Sequence, residues 1–160
     1  MIGSPPPTCW LKLNVDGTVF GELHKAGVGV ILRDEAGKVI LAASKVEFEV
    51  NKTEAIEMLA IFRALQLCTS MGIHRLIMEL DCLMDIQVLN NELVSDAMLT
   101  PFVSEIRKVL RVFVECKFQH VYREGNQVAH ILARYAWNVE NISIWNECYP
   151  EFISQAVWLD

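Results

Sequence analysis

Between Trp10 and Phe48 the chain carries three strand-like runs in succession, and that arrangement leaves few folds open. Residues 10–18 alternate loosely between polar and apolar side chains, the period of a half-buried strand. After a turn with little propensity (19–26), residues 27–33 read as a second strand. Asp34-Glu35-Ala36-Gly37 then forms a hairpin turn in which Gly37 can take positive φ. Val39 to Ser44 returns as a third strand that extends toward Phe48. Three sequential antiparallel strands make a meander.

A long helix follows, capped by Asn51 or Thr53 and closed at Gly72. Ala55, Met58, Leu59, Phe62, Leu65 and Leu67 supply its buried face. Residues 74–80 form a fourth strand, and Asp81 caps a helix over about 82–93. Another helix starts at Asp96 or Thr100, with Pro101 early in it, and runs to about Arg111. Val114 to Val121 alternates as a fifth strand before a helix over about 127–138. The order βββαβααβα implies an α/β fold: a mixed five-stranded sheet, its first three strands antiparallel, flanked by helices. Residues 1–8 read as an extended Pro-rich lead-in and 9–138 as the domain. The extension 139–160 is too apolar to stay in solvent and is expected to pack on the domain or on a protein partner.

At 160 residues, 52% hydrophobic, the chain fits one core. No apolar run is long enough to span a bilayer, and the N-terminus lacks the pattern of a signal peptide. The five cysteines (Cys9, Cys68, Cys82, Cys116, Cys148) make no C-x-x-C pair, so reduced, mostly buried thiols in a nuclear or cytoplasmic monomer are expected. The net charge of −6 argues against indiscriminate nucleic-acid binding. Yet residues 107–134 carry Arg107, Lys108, Arg111, Lys117, Arg123 and Arg134 against only Glu115 and Glu124, which makes a local basic stripe.

Asp16 sits in the first strand, Glu57 lies one turn inside the first helix, and Asp81 closes the fourth strand. In a sheet with the first strand central and the fourth parallel beside it, the three acids meet. Clustered carboxylates repel and raise one another's pKa unless a cation neutralises them. Hard oxygen donors select Mg²⁺ or Mn²⁺, and two such ions can clamp the attacking and leaving oxygens of a phosphodiester. His120 leaves the fifth strand, and Asn126 and His130 share one side of the last helix.

These residues carry a resemblance. Trp10-Leu11-Lys12-Leu13-Asn14-Val15-Asp16-Gly17, Gly27-Val28-Gly29-Val30-Ile31-Leu32-Arg33-Asp34 with Gly37, Glu79-Leu80-Asp81-Cys82, and His120-Val121-Tyr122-Arg123-Glu124-Gly125-Asn126 with Ala129-His130 resemble type 1 ribonuclease H domains. The nearest likeness is to the plant reverse-transcriptase-like branch, derived from retroelements. It covers about residues 9–160, because that branch also ends on a Trp…Pro…Asp stretch such as Trp145, Pro150 and Asp160.

The resemblance implies a metal-dependent endonuclease that cuts the RNA strand of RNA/DNA hybrids to 3′-hydroxyl and 5′-phosphate ends. Its catalytic set falls on Asp16, Glu57, Asp81, His120 and His130, with Asp16, Glu57, Asp81 and His130 as ligands of a two-ion site. The chain departs from the pattern at His130, where an acid is usual, and at Cys82, where Ser is commoner. A neutral imidazole offers one nitrogen and no charge, so one ion position is expected to be weak and Mn²⁺ to serve better than Mg²⁺. The basic helix–loop insertion of larger bacterial members is absent, since only residues 94–100 separate the middle helices. Nucleic-acid contacts are expected from Asn14, Asn51, Thr53, Arg107, Lys108, Arg111, Arg123 and Asn126. The alternative is a domain whose catalysis has lapsed and which binds nucleic acid or a protein partner. A 3′–5′ exonuclease or transposase-type nuclease on the same core is a third reading, disfavoured by the Gly27–Gly37 hairpin.

Overall fold

The computed structural model describes residues 6–21, 24–91, 93 and 97–160. The first five residues of the expected lead-in, the alternative helix start at Asp96 and part of the 94–100 connection lie outside them.

The meander forms as its alternation and turn residues dictate: β1 (Leu11–Val19), β2 (Lys25–Arg33) and β3 (Val39–Phe48). At the second turn Gly37 takes φ 81°, and the Asp34 carboxylate accepts hydrogen bonds from the Ala36 and Lys38 amides, both at 2.9 Å. The chain continues through α1 (Thr53–Cys68), β4 (Arg75–Leu80), α2 (Leu83–Leu89), α3 (Thr100–Leu110), β5 (Glu115–His120) and α4 (Gln127–Tyr135).

The sheet has six strands, one more than the sequence suggested, in the order β5-β4-β1-β2-β3-β6. The sixth, β6 (Ile142–Asn146), comes from the apolar extension and pairs antiparallel with β3 from Leu41 to Lys45. It covers a backbone edge that would otherwise be left open. A last short helix, α5 (Ser154–Leu159), follows. Ile153 just before it is fully buried, and Phe152 stacks on Tyr135 at 4.4 Å between ring centroids. Trp158, expected to be covered, is 78% exposed.

β1 is central, antiparallel to β2 and parallel to β4. Helices take opposite faces, each over its own apolar layer. α1, α2 and α3 pack over Leu13, Val15, Val28 and Val30, while α4 packs over Ile31 and Ala42. Glycines set how closely the helices approach. A Cβ at Gly17 would press on the Ile56 carbonyl at the start of α1. A Cβ at Gly27 or Gly29 would overlap the carbonyl oxygens of Ala133 or Ala129 in α4. The Ser44 hydroxyl, level with Gly29 on β3, donates to the Leu132 carbonyl at 2.6 Å and ties α4 to the same face.

Several local expectations differ. α1 buries Ile56, Met58, Ala60, Ile61, Ala64, Leu65 and Cys68, while the expected Leu59, Phe62 and Leu67 are only partly buried. The helix is apolar on most sides because it lies between the sheet and α3, so periodicity could not select the face. Its cap is Lys52, not Asn51 or Thr53, and it ends at Cys68 before Gly72 turns with φ 70°. α2 is shorter than expected, and its N-cap is Cys82 rather than Asp81. Of the cysteines only Cys68 is fully buried; Cys9 and Cys148 are exposed, and all five are free thiols.

Candidate functional site

Asp16, Glu57 and Asp81 line one cleft, together with Cys82 and Asp85. Each acid arrives by a different route. β1 brings Asp16 to the centre of the sheet, opposite Gly29 on β2. Gly17, lacking a side chain, lets the first turn of α1 close on β1, and Glu57 comes with it. β4 runs parallel beside β1 and ends at Leu80, so Asp81 emerges at the same end. Because Cys82 takes the cap position, Asp81 is not spent on the backbone of α2.

The electrostatics follow from crowding and burial. Asp16 is only 6% exposed, and burial followed by the Asp81 charge raises its pKa, against the lowering effect of its hydrogen bond to His130. Burial, then the Asp85 charge, pushes Glu57 up to about 7. Asp85 is raised by burial first and by Asp81 among its neighbours. One ligand atom each from Glu57, Cys82 and Asp85 lies within 4.8 Å of the others. Burial holds the Cys82 thiol protonated, its pKa pushed up to about 12. Asp81 Oδ2 is buried without a hydrogen-bond partner, and Arg123 Nε stands 3.7 Å from it.

This donor set fits a hard divalent ion. Four carboxylates line the cleft, burial and their neighbours' charges raise the pKa of Asp16, Glu57 and Asp85, and the buried Asp81 Oδ2 lacks a hydrogen-bond donor. Asp16, Glu57, Asp81 and Asp85 would hold it. The His130 side fits less well. Its Nδ1 lies 2.8 Å from Asp16 Oδ2, so with Asp16 ionised that nitrogen carries a proton. Only Nε2 is then left to meet an ion.

The other expected residues divide. His120 is exposed at the end of β5, level with Leu80, and its ring meets that of Tyr122 edge-on, with 5.2 Å between centroids. Asn51 and Thr53 are exposed at the start of α1. Asn14 and Asn126, expected to face nucleic acid, are instead buried at 4% and 0% exposure. Asn14 Nδ2 donates to Glu79 Oε1 (3.0 Å) and Asn126 Oδ1 (3.1 Å), and Asn126 Nδ2 donates to the Val15 carbonyl (3.0 Å). Gln119 and Lys12 complete the shell around Glu79 at 2.8 and 3.5 Å. Those asparagines tie β1, β4 and the start of α4 together.

The basic stripe is not one surface. Arg107 and Lys108 lie on α3 and Arg111 caps its end, on the α1 side of the sheet, while Arg134 lies on α4, on the other. Arg107 is tied to the Val88 carbonyl and Asn91 Oδ1, and Lys108 to Glu105. Lys117 stands over the Trp10 ring.

Sequence reading missed Asp85. Its signal was the i,i+4 relation to Asp81 across the start of α2, which brings two acids toward one place.

Comparison with known proteins bears on the fold and the family. The chain matches, over residues 14–136, the model of a family described as reverse transcriptase-like. No curated protein matches it. Among solved structures it resembles RNase H1 of the halophilic archaeon Halobacterium salinarum NRC-1, with TM-score 0.76 and 21% identity over 81% of this chain and 98% of that one. LC11-RNase H1, isolated from compost and solved in complex with an RNA/DNA hybrid, gives TM-score 0.73 at 22% identity over 80% and 96%. LC9-RNase H1, a type 1 RNase H with the type 2 active-site motif, gives 0.74 at 14% identity over 98% and 88%. At these identities the likeness is one of fold: the α/β sheet and its helices form a ribonuclease H-like fold.

Proposed function

The chain belongs to the reverse transcriptase-like family, and from that premise we propose that it is a divalent-metal-dependent endonuclease acting on the RNA strand of RNA/DNA hybrids. In this reading it leaves 3′-hydroxyl and 5′-phosphate ends, works slowly because His130 stands where an acid is usual, and descends from the plant retroelement-derived branch. The observation that carries the reading is the convergence of Asp16, Glu57, Asp81 and Asp85 on one cleft at the end of two parallel central strands. The hybrid bound to LC11-RNase H1 supports the substrate class.

When bound, Mg²⁺ or Mn²⁺ supplies charge for the phosphate oxygens and lowers the pKa of a coordinated water. The chain's own residues do the remainder. Asp16 and Asp81 hold the acidic floor from adjacent strands. Glu57, pushed up to about 7 by burial and the Asp85 charge, would serve as a ligand in its ionised form, so its binding of a cation would release a proton. His130 steadies Asp16 Oδ2 through Nδ1, which leaves Nε2 free of that contact. Arg123, 65% exposed beside Asp81, supports a phosphate contact at the rim. His120, also exposed, remains the candidate for proton transfer at the leaving oxygen.

The test is a single labelled RNA presented in a hybrid and in an RNA duplex, with Mn²⁺. Cuts confined to the hybrid, with ends that a polymerase can extend, are the expected result. Equal cutting of both, or of neither, overturns the reading. One observation favours a second reading, a lapsed nuclease that still binds nucleic acid or a partner: two basic side chains, His130 and Arg123, already stand against Asp16 and Asp81. Hybrid binding in Mn²⁺ with no cutting would select it.

A further inference from the structure

We propose that Asp160 and Arg33 are positioning residues for His130, because the C-terminal segment returns to cap the helix that carries it. The first turn of any helix leaves backbone N–H groups that need acceptors. The N-cap of α4, Asn126, does not provide one, since its side chain is committed to Val15 and Asn14 in the interior. Asp160 does. Its Oδ2 accepts a hydrogen bond from the Val128 amide at 3.2 Å. A carboxylate at this end of a helix also meets the positive end of the helix dipole.

The cap is fixed in turn by β2. Arg33 Nη2 lies 3.5 Å from Asp160 Oδ2, and Arg33 Nη1 donates to the Val157 carbonyl at 3.3 Å. Both charged side chains are buried, at 10% and 7% exposure, which is tolerable because they face each other. The consequence reaches the acids within one turn. His130 follows Val128 by two residues, and Ala129 between them rests against Gly29, which is level with Asp16. The angle at which His130 meets Asp16 is therefore set by how firmly the first turn of α4 is held. The tail acts as a strut between this turn, 32 residues before Asp160, and β2, where Arg33 lies 124 residues before Val157.

Only the kinetic arm of the test rests on the nuclease reading. The full chain is compared with Asp160→Ala, Asp160→Glu and Trp158→Ser, the last a control at an exposed residue of α5, two positions before Asp160. The first measurement is the NMR resonance of the His130 ring proton on Nδ1. It should be visible in the wild type, lost or broadened in Asp160→Ala, regained in Asp160→Glu and unchanged in Trp158→Ser. The second is hybrid cleavage, where kcat of Asp160→Ala should fall about tenfold with KM within about twofold, since a small displacement near a reacting group costs rate before binding. An Asp160→Ala protein with the wild-type resonance overturns the proposal, as does a Trp158→Ser protein that behaves like Asp160→Ala. If the wild type cuts no hybrid, the nuclease reading has failed and the resonance alone decides.

Discussion

His130 is the residue on which the chemistry turns. It stands against Asp16, 2.8 Å away, and supplies one nitrogen where an acid would supply two oxygens and a charge. His130→Asp is therefore expected to raise Mg²⁺-dependent cleavage of hybrid by at least about tenfold; an unchanged rate in a folded variant would mean that another step is limiting. Glu57 gives a second prediction. Its pKa in the folded chain is raised from 4.5 to about 7, so the folded state holds a proton that the unfolded state releases. That contribution to stability is complete below about pH 4.5 and is lost as pH rises through about 7. Asp16 and Asp85, raised as well, act in the same direction. Without metal, the melting temperature should fall as pH rises from about 5 to 7, and Mn²⁺ should restore more of it at pH 7 than at pH 5. A metal-free melting temperature that climbs over this range contradicts the acidic cluster as described. Asp16, Glu57 and Asp81 could be read from the sequence because one lies within β1, one a turn inside α1 and one just past β4, elements that strand order brings together. Asn14 and Asn126 could not: asparagine suits turns and caps, and nothing local reveals a hydrogen bond spanning 112 residues.

Among the elements, the glycines of β2 and the strand β6 decide what the sheet can carry. The meander was legible because period-two runs and the Asp34–Gly37 turn agree with each other. β6 was not, because five residues with two polar ones have no clear period, and their partner strand lies about a hundred residues earlier. The apolar character of residues 139–160 did signal that something must cover them. Ile153 is the buried anchor of that segment, packed with Ile31, Val128 and Leu132. Ile153→Ala should cost about 2–4 kcal/mol in chemical denaturation. Truncation after Asn138 should do more, since it also bares the edge of β3, and aggregation or a clearly lower melting temperature is expected. A truncated chain that melts within about one degree of the full one would show that the segment adds nothing to the domain and serves a partner instead.

Across the whole molecule, the sheet separates two apolar layers and brings the acids to the end of its central strands, while basic groups are spread over both faces. Binding to a hybrid then rests on few cationic contacts and should be weak and salt-sensitive. Reversing Arg107, Lys108 and Arg111 to Glu should flatten the plot of log affinity against log salt by about two units, because Arg107 is already committed to Val88 and Asn91. An unchanged slope would place the nucleic acid on the α4 side. Cleavage by this chain requires the acidic cleft to work as a metal site. The most direct measurement is the initial rate of RNA-strand cleavage in a labelled hybrid with Mg²⁺ and with Mn²⁺, for the wild type and Asp16→Asn side by side. Cleavage by the wild type that is faster with Mn²⁺ and absent in Asp16→Asn is the result predicted; a wild type no faster than Asp16→Asn with either ion would contradict it.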